Sequence, residues 1–258
     1  MKIFGRPCFA LRLIDIVSTL TCLFLLGVQN LYAIPKVFSP IVEEGEVALE
    51  IRGSKDIDED ETKDGGGGYK VEVEYGITSF WMIAPELEYE YEIAEKKYEL
   101  EAFSLENIFQ ILPQGEYWLD AGVFFEYEKM KDSKHPDVVV LGPIVRKEFG
   151  AFVSTLNILM ETEIGGEEEQ EDSERVGEEE EGGTELSYAL QAKWRLSEAF
   201  EPGLEVYQSE ESQQVGPVAL GKIHVGDYGK LKYELGLLFG LSDETPDNTL
   251  RWLVEFEF

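Results

Sequence analysis

The sequence predicts an all-β protein: a single antiparallel up-and-down transmembrane β-barrel of about 12 strands. Three observations predict it. First, beyond residue 33 the chain is a succession of two-residue alternations, with no sustained helical period and caps. Second, the links between these alternations are long and acidic on one side and tight on the other. Third, the closing stretch Leu250-Arg251-Trp252-Leu253-Val254-Glu255-Phe256-Glu257-Phe258 is apolar at Leu250, Trp252, Val254, Phe256 and Phe258. The alternate set carries Arg251, Glu255 and Glu257. Side chains alternate across a strand, so one face of this one suits lipid and the other a polar lumen.

The amino-terminal end reads as an export signal. Lys2, Arg6 and Arg12 precede an apolar run from about Ile16 to Val28. A spanning helix needs roughly 20 apolar residues, more than this run supplies. Ala33 offers a small-residue exit, with Leu31 at a weaker upstream position, so residues 1–33 are expected to be removed. An uncleaved anchor is the alternative. Thr19-Leu20-Thr21-Cys22 matches a lipoprotein signal poorly, because Leu23-Phe24-Leu25-Leu26 continues the apolar run. Both cysteines, Cys8 and Cys22, lie in this segment, so the mature chain has no disulfide framework and no thiolate metal site.

Residues 34–44 are expected to form a short periplasmic lead, and residues 45–258 the barrel with acidic extracellular loops. Val47-Ala48-Leu49-Glu50-Ile51 opens the strand series, followed by Tyr69 to Tyr75 and Glu86 to Glu92. Tyr98-Glu99-Leu100-Glu101 comes next, and a phase slip near Ala102-Phe103 marks a bulge. Leu119 to Glu128, Val138 to Phe149, Phe152 to Ile164, Glu185 to Leu196 and Phe200 to Tyr207 continue the series. Val215 to Lys222 is short and weak, because Pro217 argues against a central strand. Leu231 to Leu237 and Leu250 to Phe258 complete it. Long links fall around 54–68, 129–136, 165–184, 209–214 and 242–248. Tighter ones fall near 77–80, 113–116, 150–151, 196–199 and 224–229. With an even strand number, all long links share one side and the carboxy-terminus lies on the other.

Closure also removes unpaired strand edges, as hydrocarbon demands. A soluble lipocalin-like barrel is the competing closure. It would turn its apolar face inward, where this many aromatic-rich stripes are hard to accommodate.

Charge narrows the partners. The chain has 53 acids and 22 bases, a net charge of −31, and the signal holds three of the bases and one acid. That sign disfavours nucleic acid, whose binding depends on neutralising phosphates. The expected partners are outer-membrane lipid, lipopolysaccharide and the barrel-assembly machinery.

Several stretches carry a family resemblance: Phe38 to Glu46, Leu49 to Gly53, Leu105-Glu106-Asn107, Pro113 to Asp120, Phe200 to Glu205, Val215 to Val218 and Leu250-Arg251-Trp252. On these the chain resembles an uncharacterised family of Gram-negative outer-membrane β-barrel proteins. The resemblance implies fold and location and no activity. Trp252, Phe256 and Phe258 likewise resemble the carboxy-terminal assembly signal of such barrels.

With the oily stripes on lipid, the expected lumen lining is Glu50, Arg52, Glu72, Glu74, Glu88, Glu90, Glu161, Lys193, Arg195, Glu205, Glu234, Arg251 and Glu255. Glu86, Glu126 and Glu257 fall in the same phase. Crowded carboxylates repel one another or recruit cations, and rings of them select cations. The expected function is therefore a narrow cation-preferring channel or small-solute transporter. The alternative is a non-conducting structural or surface-binding barrel, its carboxylates cross-braced by Arg and Lys. Asn107 and Asn157 stand mid-strand, where Asn is disfavoured, and are expected to be satisfied lumen side chains or partners of lumen carboxylates.

No cofactor is expected. The runs Glu167-Glu168-Glu169, Glu171-Asp172 and Glu178 to Glu181 suit weak divalent-cation binding, but lack EF-hand spacing and read first as a solvated loop. The stretch from Asp56 to Asp64 and its four following glycines read the same way. A barrel hydrolase would want a base beside a nucleophile. The two histidines, His135 in a loop and His224 in a turn, fall at opposite ends of the barrel, so no enzyme is expected.

Overall fold

The computed structural model describes residues 34–165, 183–210, 212–226 and 228–258. The barrel strands are β1 (Val47–Ile57), β2 (Gly68–Thr78), β3 (Trp81–Glu92), β4 (Lys97–Leu112), β5 (Asp120–Met130) and β6 (Asp137–Phe149). They continue with β7 (Phe152–Ile164), β8 (Thr184–Trp194), β9 (Glu201–Gln208), β10 (Gln213–His224), β11 (Lys230–Gly240) and β12 (Asn248–Glu257). Each pairs antiparallel with its neighbour in sequence, and β1 pairs with β12 to close the barrel. No described helix is long and apolar enough to cross a membrane.

The register keeps like faces together. Between β2 and β3, Val71 stands opposite Leu87 and Tyr69 opposite Tyr89, while Lys70 faces Glu88. Leu49, Ile51, Val73, Leu87, Leu141, Leu190, Leu235 and Val254 are exposed on the outside. Glu50, Arg52, Glu72, Glu106, Glu205 and Arg251 are buried. This inversion of the water-soluble pattern is what a hydrocarbon surround requires. Aromatic residues gather at both ends of the wall. Tyr69, Tyr89, Tyr91 and Tyr98 pack together near one rim, and Phe149, Phe152 and Trp194 near the other.

The expected bulge falls at Glu101: Glu88 pairs with Ala102 and Tyr89 with Leu100, leaving Glu101 extra on β4. Two links on the longer side, 93–96 and 209–212, are shorter than 113–119 on the tighter side, so the alternation of link length is uneven.

Pro217 does not weaken β10. The strand has 12 residues, and its register with β9 runs straight through Pro217↔Leu204. Only the β11 side has a gap, between Val215↔Phe239 and Val218↔Gly236. Pro217 points outward, and Gly216 beside it lets the backbones close up. A Cβ on Gly216 would collide with the Leu237 carbonyl oxygen. Gly216→Ala is therefore expected to cost about 1–3 kcal/mol, the usual penalty of overpacking. A urea midpoint equal to that of the unsubstituted protein would show that the close approach is not needed.

The 34–44 segment does more than lead in. It folds into the barrel from the end where the tighter links and the carboxy-terminus lie. Phe38 is buried with Ile108, Phe124 and Ile144, flanked by Val42, Met82, Val140 and Leu159. The inner face of β3–β7 is thus partly apolar, where the alternation of acids suggested a uniformly polar lumen.

Candidate functional site

The interior is organised around basic side chains that each gather several carboxylates. Arg52, central on β1, is the most heavily engaged. Its Nη1 donates to Glu50 Oε1 at 2.9 Å and Glu72 Oε2 at 2.7 Å. Its Nη2 lies 2.5 Å from Glu86 Oε2 and 2.7 Å from Glu106 Oε1. The planar fork suits this arrangement, since each end serves two acids. Ser104 Oγ donates to the second oxygen of Glu86 at 2.9 Å.

Nearer the rim bearing the 58–67 link, Lys70 lies 2.9 Å from both Glu86 and Glu88. Glu126 and Glu128 stand 3.9 and 3.6 Å from the same ammonium. Glu90 and Glu161 are half-buried further along this rim, opposite Glu99 and Glu185 in register. On β12, the strand paired with β1, Arg251 pairs with Glu205 of β9, and its Nη2 reaches Glu234 at 2.8 Å. Tyr207 Oη and Gln191 Nε2 also donate to Glu205.

At the opposite end, a cavity of about 450 Å³ opens beside the 34–44 segment, lined in part by Thr155, Gln191, Lys193, Lys222, Lys232 and Glu255. Lys193 pairs with Glu201 at 2.8 Å and Lys232 with Glu255 at 2.8 Å. Arg195 lies just past β8 and pairs with Glu148, which Arg146 also contacts. Lys36 enters from the segment and donates to Glu50 at 2.9 Å and Glu72 at 2.7 Å, with Glu74 3.7 Å away.

The residues expected to line the lumen therefore all stand on the inner face or its mouth, but they do not form one ring. Most are divided among the Arg52, Lys70, Arg251, Lys36 and Lys232 groups, while Lys193 and Arg195 pair with Glu201 and Glu148, and Glu90 and Glu161 stand opposite other acids in register. Glu106, Glu128, Asp120 and Lys36 were missing from the expected set. The bulge at Glu101 hides the phase of Glu106, and Lys36 lies outside any alternation.

Among the described residues, three acid triads come close enough to share an ion: Glu46/Glu255/Glu257, Glu50/Glu72/Glu74 and Glu72/Glu86/Glu106. Each already holds a basic side chain, respectively Lys232, Lys36 and Arg52. These triads are closed by the protein's own cations.

The two asparagines differ. Asn157 is buried on the inner face, where Oδ1 accepts the Phe38 N–H at 2.8 Å and Nδ2 donates to the Phe38 carbonyl at 2.9 Å. Its partner is backbone, not a carboxylate. Asn107 is not a lumen residue: it shares the outward face with Leu105, and its Oδ1 accepts from Trp81 Nε1 at 3.1 Å. The indole shields an amide that would otherwise meet lipid.

In the 58–67 link, Asp58 accepts backbone N–H bonds from Asp60 at 2.7 Å and Asp247 at 2.9 Å, and these hold its carboxyl below the usual range. This ties two links of one rim together. The acidic runs at Glu167–Glu169, Glu171-Asp172 and Glu178–Glu181 lie outside the described residues. His135 donates its backbone N–H to Asp132 O, and His224 Nδ1 is 3.7 Å from Glu198 at the other end, so the histidines do not meet. At the seam, Trp252 packs over Gly53, and the Phe258 N–H donates to Val47 O at 2.9 Å.

No family model matches the chain, and no curated protein matches it in sequence. Among solved structures, the chain is similar to the NanC porin in a rhombohedral crystal form, with 9% identity and a TM-score of 0.52 over 81% of this chain and 100% of that one. A bacterial polysaccharide outer membrane secretin gives 12% identity and 0.43 over 82% and 98%. An anion-selective porin from Comamonas acidovorans gives 9% and 0.35 over 83% and 98%. At such identities the first of these establishes a shared barrel fold and nothing of what passes through it.

Proposed function

We propose that the chain is an integral outer-membrane β-barrel with a narrow, cation-preferring passage for small solutes, reached after export and cleavage near Ala33. The observation that carries this reading is the imbalance of buried charge. Among the described residues twelve carboxylates are buried, against the bases Arg52, Lys70, Arg146 and Arg251. At an effective dielectric of about 20, a monovalent cation roughly 4 Å from one carboxylate gains about 4 kcal/mol, and an anion loses as much. Ions of the two signs would meet very different interiors. The apolar exterior and paired aromatic rims support the membrane placement, and the outer membrane is where closed barrels of this kind reside.

The test is planar-bilayer conductance of the refolded mature chain under a KCl gradient. The reversal potential is expected to move toward the potassium potential, and Glu255→Gln with Glu74→Gln is expected to move it back. Anion preference, or openings indifferent to those substitutions, would contradict the reading.

A second reading, a non-conducting structural barrel, is favoured by one observation. Arg52 and Lys70 cross-brace the acids of β1–β5, and the 34–44 segment fills the lumen beside them. Barrels of this size can be filled by their own side chains. Absence of current from every preparation of correctly folded protein would decide for it.

A further inference from the structure

We infer that residues 34–44 are a releasable stopper, held in the lumen by a clamp at Phe38 and a latch at Lys36. The inference rests on the channel reading for its consequence, though its geometry stands alone.

The segment has no strand of its own, yet backbone groups at Phe38 and Val42 are held by wall side chains. Asn157 takes both polar groups of Phe38, as a neighbouring strand would. Gln110 Oε1 accepts the Val42 N–H at 2.9 Å. The Phe38 ring stacks on Phe124 with centroids 4.1 Å apart, in the apolar patch that interrupts the polar lumen. A patch of that kind inside a water-filled barrel needs a cover, and the segment supplies it. Lys36 then places a tethered ammonium among Glu50, Glu72 and Glu74, where a passing cation would otherwise be held.

These holds are few and separable. Side chain–backbone bonds such as those at Asn157 and Gln110 contribute modestly each, because water replaces them on release. Free cations that enter the lumen compete with Lys36 for Glu50, Glu72 and Glu74 by mass action. The segment is therefore poised between seated and withdrawn states, with high salt favouring withdrawal.

The test uses the full chain with Cys8 and Cys22 replaced by serine and a single reporter at the buried Pro40, Pro40→Cys. Its reaction with a membrane-impermeant maleimide is measured in proteoliposomes. Asn157→Ala, which changes no charge, is expected to raise the labelling rate roughly tenfold, the effect of losing two modest hydrogen bonds. Lys36→Gln and raised KCl are expected to act in the same direction. Heat-modifiable migration shows that each variant is folded. Equal labelling in all folded variants would overturn the stopper. Conductance is recorded on the same preparations, where Asn157→Ala is expected to open more often. Faster labelling without any current would instead keep the stopper and remove the channel.

Discussion

Arg52→Met is expected to destabilise the barrel by about 3–5 kcal/mol, the cost of leaving buried charge without its partner. The side chain is 3% exposed and serves Glu50, Glu72, Glu86 and Glu106 together. Lys36 remains within reach of Glu50 and Glu72, so those two keep one cation. Glu106 keeps none at hydrogen-bonding distance, and its Oε2 is already buried without a hydrogen-bond partner. The damage should therefore concentrate at Glu106. Glu106→Gln alone is expected to be milder, since it removes a charge from a group with acids in excess. The double variant should recover at least about 1 kcal/mol relative to the sum of the two, the size expected for directly coupled residues. Arg52→Lys should rescue poorly, because one ammonium cannot hold two pairs of acids as the fork does. Urea unfolding in detergent measures all four. An Arg52→Met midpoint within error of the parent would mean that the interior carboxylates do not depend on this guanidinium.

The reason such a network could be only half read in advance lies in what alternation encodes. On β12, Arg251, Glu255 and Glu257 interleave with Trp252, Val254 and Phe256, so chemistry and geometry have the same period and the strand declares both faces. On β3 the stretch Trp81-Met82-Ile83-Ala84-Pro85 is apolar throughout, because Met82 packs on the apolar patch and Ala84 is buried on the same inner face, while Ile83 and Pro85 face out. No period survives there, so the sequence alternation starts only at Glu86. Pro217 misled for a related reason: the cost of proline falls on one ladder only, and sequence does not say which side is spared. Asn157 was legible as an anomaly but not as a clamp, since its partner lies 119 residues away. Strand phase is local and therefore visible. The grouping of Lys36, Glu50, Glu72 and Glu106 depends on barrel closure and on a segment with no period.

Deleting Phe258 is expected to separate delivery from stability. In the folded barrel its ring is 72% exposed and meets Phe256 edge-on, with centroids 4.9 Å apart. Its one ladder bond, to Val47 O, extends the β1–β12 seam by a single position. Loss of that bond should cost only about 1 kcal/mol, so the refolded truncated chain should unfold at nearly the parent urea midpoint. Trp252→Ala should behave in the opposite way. The indole covers Gly53, whose missing side chain leaves room for it across the seam, an aromatic–glycine pairing that pins register. Its removal should cost about 2–3 kcal/mol, less than a fully buried tryptophan, while Phe258 stays in place. If Phe258 serves mainly as a signal, the truncated chain will accumulate severalfold less heat-modifiable barrel in the outer membrane despite its intact stability. Normal accumulation of that truncation would leave Phe258 as one more residue of the seam, and would shift the burden of closure to Trp252 and the Gly53 position it fills.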